Sequence, residues 1–106
     1  MNAPTPIEAL LKPQDPALAA STQPRIGHGF RLQYEVAQKC HVLLYPEGLV
    51  RLNASAGEIL SRCDGVRSVQ AIVDELEAAF NAQDLAGDVM AFMRMAQAQR
   101  WLAWDA

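Results

Sequence analysis

Few residues in this chain of 106 suit bond-making chemistry. Its two cysteines, Cys40 and Cys63, are too few for a disulfide scaffold. The only histidines are His28 and His41. No C-x-x-C or H-x-x-x-H spacing gathers the three or four convergent ligands that zinc requires. A phosphate-binding loop, a dinucleotide fingerprint and a nucleophile–base–acid triad are all missing. Cys40 and His41 are neighbours, but successive strand residues point to opposite faces and cannot converge on one atom. Cys63 continues an apolar helical stripe and reads as a buried, inert thiol. These absences argue against an enzyme, and against a metal or small cofactor of its own. No apolar run reaches the length of a membrane-spanning helix. The first residues lack the basic start and apolar core of a signal peptide, so the cytoplasm is expected.

What is present suits one small folded unit. The composition is 51% hydrophobic and 20% charged, which gives a core that is small but feasible without staples. Proline is concentrated at one end, at positions 4, 6, 13, 16 and 24. Repeated prolines forbid a continuous helix, so residues 1–23 are expected to form a flexible arm and residues 24–106 the folded domain. Charge is uneven beyond the arm. From Arg25 to Arg67 six basic residues stand against four acidic ones, whereas from Ser68 onward two stand against six.

The pattern predicts an α+β, winged-helix-like domain: a three-stranded antiparallel meander followed by three helices. Phe30, Leu32 and Tyr34 alternate with Arg31, Gln33 and Glu35, as a half-buried strand should. A second strand covers His41–Tyr45, Pro46-Glu47-Gly48 turns the chain, and Leu49–Leu52 forms the third. Ser55-Ala56-Gly57-Glu58 has the form of a capping box, and Asp64-Gly65 that of a left-handed stop. Between them Ala56, Ile59, Leu60 and Cys63 share one face. A second helix capped by Ser68 carries Val69, Ile72, Val73, Leu76 and Phe80 at helical spacing. A third starts near Asp84, with Leu85, Val89, Phe92, Met93 and Ala96 on one side and a basic end at Arg94 and Arg100. Trp101-Leu102-Ala103-Trp104 is expected to fold back on the domain.

Two features of this pattern suit an extended peptide as ligand. A three-stranded meander leaves open edges, where a foreign backbone can add a strand. The third helix carries Met90, Met93 and Met95, whose flexible thioethers suit a groove for an imperfect ligand. Nucleic acid fits poorly, because Asp74, Glu75 and Glu77 on the second helix would repel phosphates. A structural dimerisation module is the other alternative, through the open strand edge or the arm.

The ordered series Tyr45-Pro46-Glu47-Gly48, Leu52-Asn53, Ser55-Ala56, Ile59-Leu60 and Cys63-Asp64-Gly65 closely resembles the PqqD family of pyrroloquinoline quinone (PQQ) biosynthesis. Arg31-Leu32-Gln33, Glu35 and Ala37-Gln38 extend the resemblance upstream, and Val69–Leu76 and Val89–Phe92 extend it more loosely downstream. The resemblance implies the winged-helix-like fold and a non-catalytic peptide chaperone, a RiPP recognition element. Such a protein binds a ribosomally made, PqqA-like precursor and presents it to a PqqE-like radical S-adenosylmethionine (SAM) enzyme for Glu–Tyr cross-linking. It places the peptide beside Leu49, Val50, Arg51 and Leu52, against Val89, Met90, Met93 and Gln97. Arg31 and Arg51 are the exposed cations that would suit an acidic leader. The long proline-rich extension departs from the family pattern.

Overall fold

The computed structural model describes residues 18–105. Strands β1 (Arg25–Ile26), β2 (Arg31–Glu35), β3 (Cys40–Tyr45) and β4 (Gly48–Arg51) come first. Helices α1 (Ala54–Leu60), α2 (Val69–Ala79) and α3 (Ala86–Ala98) follow, and a short β5 (Leu102–Ala103) closes the fold. The expected meander is the antiparallel sheet β2-β3-β4. Leu32, Leu43 and Val50 line up across it and pack against the core. The same core takes Ile59 and Leu60 from α1, four residues of α2, and Val89, Met90, Met93 and Ala96 from α3.

A second sheet has no counterpart in the sequence reading. Strand β1 pairs with β5, joining Arg25 to Ala103 and Ile26 to Leu102. Trp101–Trp104 does fold back, with Leu102 and Trp104 buried. The clasp needs Gly27, whose N–H donates to the Trp101 carbonyl at 2.8 Å. Any Cβ there would collide with the Arg100 carbonyl oxygen.

Residues 1–17 of the expected arm lie outside the described residues, but Leu18 to Gln23 belong to the fold. Leu18 is a core residue. The carbonyls of Thr22 and Ala20 accept from the N–H groups of Val69 and Gln70, at 2.8 and 3.0 Å. The Ser68 hydroxyl accepts from the N–H of Ala71. The first three orphan donors of α2 are thereby satisfied, two of them by a segment with no helical or strand pattern of its own. The domain therefore begins well before Pro24.

Helix boundaries differ from expectation in four places. Asn53, not Ser55, caps α1, its side chain accepting from the Ala56 N–H at 2.8 Å. Helix α1 ends at Leu60, before Asp64-Gly65. Asp64 instead accepts from the N–H groups of Val66 and Arg67, and Gly65 donates to the Pro24 carbonyl. Helix α2 stops at Ala79 in a Schellman motif, with Asn81 left-handed at φ 49° and the Ala82 N–H donating to the Glu77 carbonyl. Phe80 therefore sits at the cap, 55% exposed, rather than on the buried stripe. Arg100 plays the same left-handed part after α3, at φ 68°, with Trp101 donating to Ala96. Arg94 lies inside α3, not at its end.

Helix α1 lies close to the sheet because Gly57 has no side chain. A Cβ at that position would stand 2.5 Å from His41 Nδ1, an imidazole that can rotate away. The obstacle at Gly27 is a backbone carbonyl that cannot. Gly27→Ala is accordingly expected to cost about 1–3 kcal/mol, and Gly57→Ala less. Urea unfolding midpoints at unchanged m-value measure both. Equal losses would remove the distinction.

Candidate functional site

Hydrogen bonding along β4 alternates, and the phase of that alternation decides what the edge offers. The Leu52 N–H donates to the His41 carbonyl at 3.0 Å. From that pair the ladder steps by twos, so Val50 bonds with Leu43 and Gly48 with Tyr45. The N–H and C=O groups of Leu49 and Arg51 then point away from the sheet. By the same alternation, β3 uses Cys40, Val42 and Leu44 to hold β2, and Leu32 and Tyr34 face outward there.

Side chains along β4 separate the same way. Leu49, 54% exposed, and Arg51 stand on the outer face, while Val50 and Leu52 turn toward the core. Arg31 and Arg51 are both exposed, and neither forms an ion pair within the described residues. They do not belong to one groove, however. Arg31 lies on β2, opposite Leu44, with β3 between it and the β4 edge.

The methionines of α3 need a sharper correction. Met90 and Met93 are fully buried, and Val89 is nearly so. They are core side chains and offer no surface to a ligand, because Leu18, Leu102 and the other helices close around the same cluster. Of the α3 methionines and the expected contacts Val89 and Gln97, only Met95, 41% exposed, and Gln97 present surface. Periodicity located the stripe but could not count how many elements cover it.

Sequence reasoning missed a cavity of about 320 Å³ among the three helices. Its walls are Ala54, Ile59, Leu76, Leu85 and Val89, with Phe80 at the mouth. Its lining begins soon after β4 along the chain, Ala54 being the third residue beyond Arg51. The stripe residues Ile59, Leu76 and Val89 were the available signal. The hollow itself depends on α2 stopping at Ala79, and on Glu77 Oε2 accepting from the Leu85 N–H at 3.1 Å.

The carboxylates of α2 serve the fold. Glu75 pairs with Arg67 at 3.0 Å and Arg62 at 3.5 Å, and Asp74 accepts from Gln70. Backbone N–H groups of Arg67 and Val66 hold the Asp64 carboxyl below its usual range. No group of three or more His, Cys, Asp or Glu residues is arranged to hold a metal among the described residues. No helix among them is long and apolar enough to cross a membrane.

The domain is thus α+β, an open three-stranded meander feeding three helices. The solved structure of the PqqD truncation of Methylobacterium extorquens PqqCD has this fold. It matches with a TM-score of 0.67 and 28% identity, over 82% of this chain and 95% of that one. That protein is described as a functional, stand-alone recognition element for ribosomally synthesized, post-translationally modified peptides. The family model for Coenzyme PQQ synthesis protein D (PqqD) matches residues 40–102. The PqqA binding protein of Pseudomonas aeruginosa strain UCBPP-PA14 is 52% identical over 80 residues, covering 74% of this chain and 87% of that one. Its counterpart in Pseudomonas syringae pv. tomato is 48% identical over 89 residues, covering 83% and 90%. The chain belongs to the PqqD family.

The two thiols provide a check on the packing. Burial, reinforced by the Asp64 charge, pushes the Cys63 thiol from its ordinary 9.0 up to about 12. Cys40 is half-buried at the start of β3. At pH 8 a disulfide reagent should titrate one thiol quickly and the second only in denaturant. The unfolded chain loses the Cys63 proton near 9.0 and the folded chain only near 12. Cys63 therefore subtracts stability as pH rises through that window, and Cys63→Ala should flatten that part of the pH–stability curve.

Proposed function

We propose that this protein is a non-catalytic peptide chaperone of PQQ biosynthesis. It binds a PqqA-like precursor by strand addition at β4 and presents it to a PqqE-like radical SAM enzyme, which cross-links a Glu and a Tyr of the peptide. The supporting observation is the pair of outward amides at Leu49 and Arg51, on a partly apolar edge within a PqqD-family chain. A strand laid there gains up to four backbone hydrogen bonds, each of about 0.5–1.5 kcal/mol net. Leu49 and Arg51 contact side chains on one face of the added strand. Val50 and Leu52 set the spacing, and on α3 the exposed Gln97 and Met95 are candidate contacts. Holding the precursor extended raises its effective concentration at the enzyme, so the reading requires no chemistry from the chaperone. The exposed carboxylates Asp74 and Glu75 on α2 disfavour a nucleic-acid partner.

The PqqA peptide of Pseudomonas aeruginosa is a practical probe. At saturation it should slow hydrogen exchange at Leu49 and Arg51 at least tenfold and leave Val50, already bonded to Leu43, unchanged. Leu49→Pro deletes an outward donor from an edge strand, where proline is tolerated. It should weaken binding about tenfold, equivalent to about 1.4 kcal/mol, while Val50→Pro should unfold the meander. Slowing at Leu32 and Tyr34 instead would transfer the site to the β2 edge.

A further inference from the structure

The hollow among the three helices has apolar walls, and the Schellman turn leaves Phe80 in solvent at its mouth. One stretch of the chain before Leu18 carries the pattern to fill it. Thr5-Pro6-Ile7-Glu8 has the form of a capping box, with proline at the first helical position. Glu8 and Lys12 are spaced i, i+4 in the favourable order, and Pro13 marks a stop. Ile7, Leu10 and Leu11, at i, i+3 and i+4, would share one face of such a helix. They are the only large apolar residues between Met1 and Leu18. The hollow lies within their reach. The Ala20 carbonyl accepts from the Gln70 N–H, and Leu76, in the wall, lies six residues further along α2, a rise of about 9 Å. The six residues from Lys12 to Leu18 span up to about 20 Å when extended. A volume of about 320 Å³ admits aliphatic side chains of this size. Glu58 and Asp88, the charged residues of the lining, are both acidic, which favours the lysine end of the segment.

We propose that the hollow is the docking site for this chain's own residues 5–12, which seat Ile7, Leu10 and Leu11 against Ile59, Leu76 and Leu85 and cover Phe80. A helix is about 10–12 Å across with its side chains. Docked over Ala54, the third residue beyond Arg51, it overhangs the end of β4 and crowds an incoming strand. The arm is therefore an internal gate on the peptide edge, and a precursor loads by displacing it. The gating rests on strand addition at β4, whereas the docking does not. The segment belongs to the proline-rich extension by which this chain departs from the family pattern, outside the residues 40–102 that the family model matches.

The double variant Leu10→Asn/Leu11→Asn of the full chain tests it, at positions that precede the described fold. Backbone NMR should show the amides of Phe80, Leu85, Asp88 and Val89 shifted between parent and variant, with Val42 and Leu43 unmoved. A synthetic peptide of residues 1–17, added to the variant, should return those four signals toward their parental positions. The Pseudomonas aeruginosa PqqA peptide should bind the variant about fivefold more tightly than the parent. Gln14→Ala, beyond the docking segment, should leave both readouts as they are in the parent. Unmoved signals at Phe80, Leu85, Asp88 and Val89 overturn the docking. Shifts that grow with protein concentration would assign the contact to the arm of a second copy, and overturn the internal gate. Shifted signals with PqqA affinity within twofold of the parent, and with Leu49 and Arg51 still protected at saturation, overturn the gate and leave strand addition standing. Absence of that protection in the parent overturns strand addition, and the docking then stands or falls on the shifts alone.

Discussion

Among the described residues, strand β4 is hydrogen-bonded on one side only, and the rest of the described fold keeps it so. An open edge invites any free strand, including that of another copy. Here the exposure is limited: β4 has four residues, Pro46 lies in the turn before it, Arg51 puts a charge near its end, and Asn53 turns the chain into α1. A short edge of this kind disfavours indiscriminate sheet growth yet still offers outward donors and acceptors at two residues.

Keeping the edge open depends on where the first and last described segments go. Strands β1 and β5 pair with each other in a separate sheet, so neither competes for β4. The segment from Leu18 to Pro24 is occupied with the start of α2 and with Gly65, where its carbonyls accept backbone N–H groups. The energetic logic is conservative. Each terminal segment satisfies donors that would otherwise be buried without partners. The surface ion pairs around Arg62 and Arg67 add orientation between α1 and α2 but little stability. The core stripes of the three helices carry most of the stability.

The legible part of this fold was local. Alternation from Arg31 to Glu35, the turn at Pro46, and the stripe Val69–Leu76 are fixed by nearest neighbours on one element, and the meander and helices follow from them. Contacts between distant segments left no such pattern: the β1–β5 clasp joins two dipeptides at opposite ends of the domain. The choice of Asn53 over Ser55 as cap was likewise undecidable by motif alone. Leu52 still pairs with His41, so Asn53 is the first residue free to turn into the helix. Met93 was placed on the right stripe and Met90 beside it, and both were misread as surface, since burial depends on everything packed against a helix. Strand β4 was legible as an edge. The cavity beside it was not, because it is a property of where three helices stop.

Two free edges raise the question of what selects between them, and backbone geometry alone cannot answer it. Strand β2 offers outward groups at Leu32 and Tyr34 as freely as β4 offers those of Leu49 and Arg51. The difference lies in what each strand leads to. Beyond Glu35 the chain enters an exposed turn through Val36 and Lys39, and the nearby Gln33 and Glu35 side chains are bonded to each other. Beyond Arg51 it enters α1, whose first turn forms the rim of an apolar hollow. A peptide on β2 would gain only backbone bonds, and those compete with water for a modest net return. On β4 the same bonds align the chain with a place to bury apolar surface, worth about 25 cal/mol per Å² removed from water. Under the proposed strand addition, backbone bonding would set the register, and apolar burial beyond the strand would favour β4 over β2.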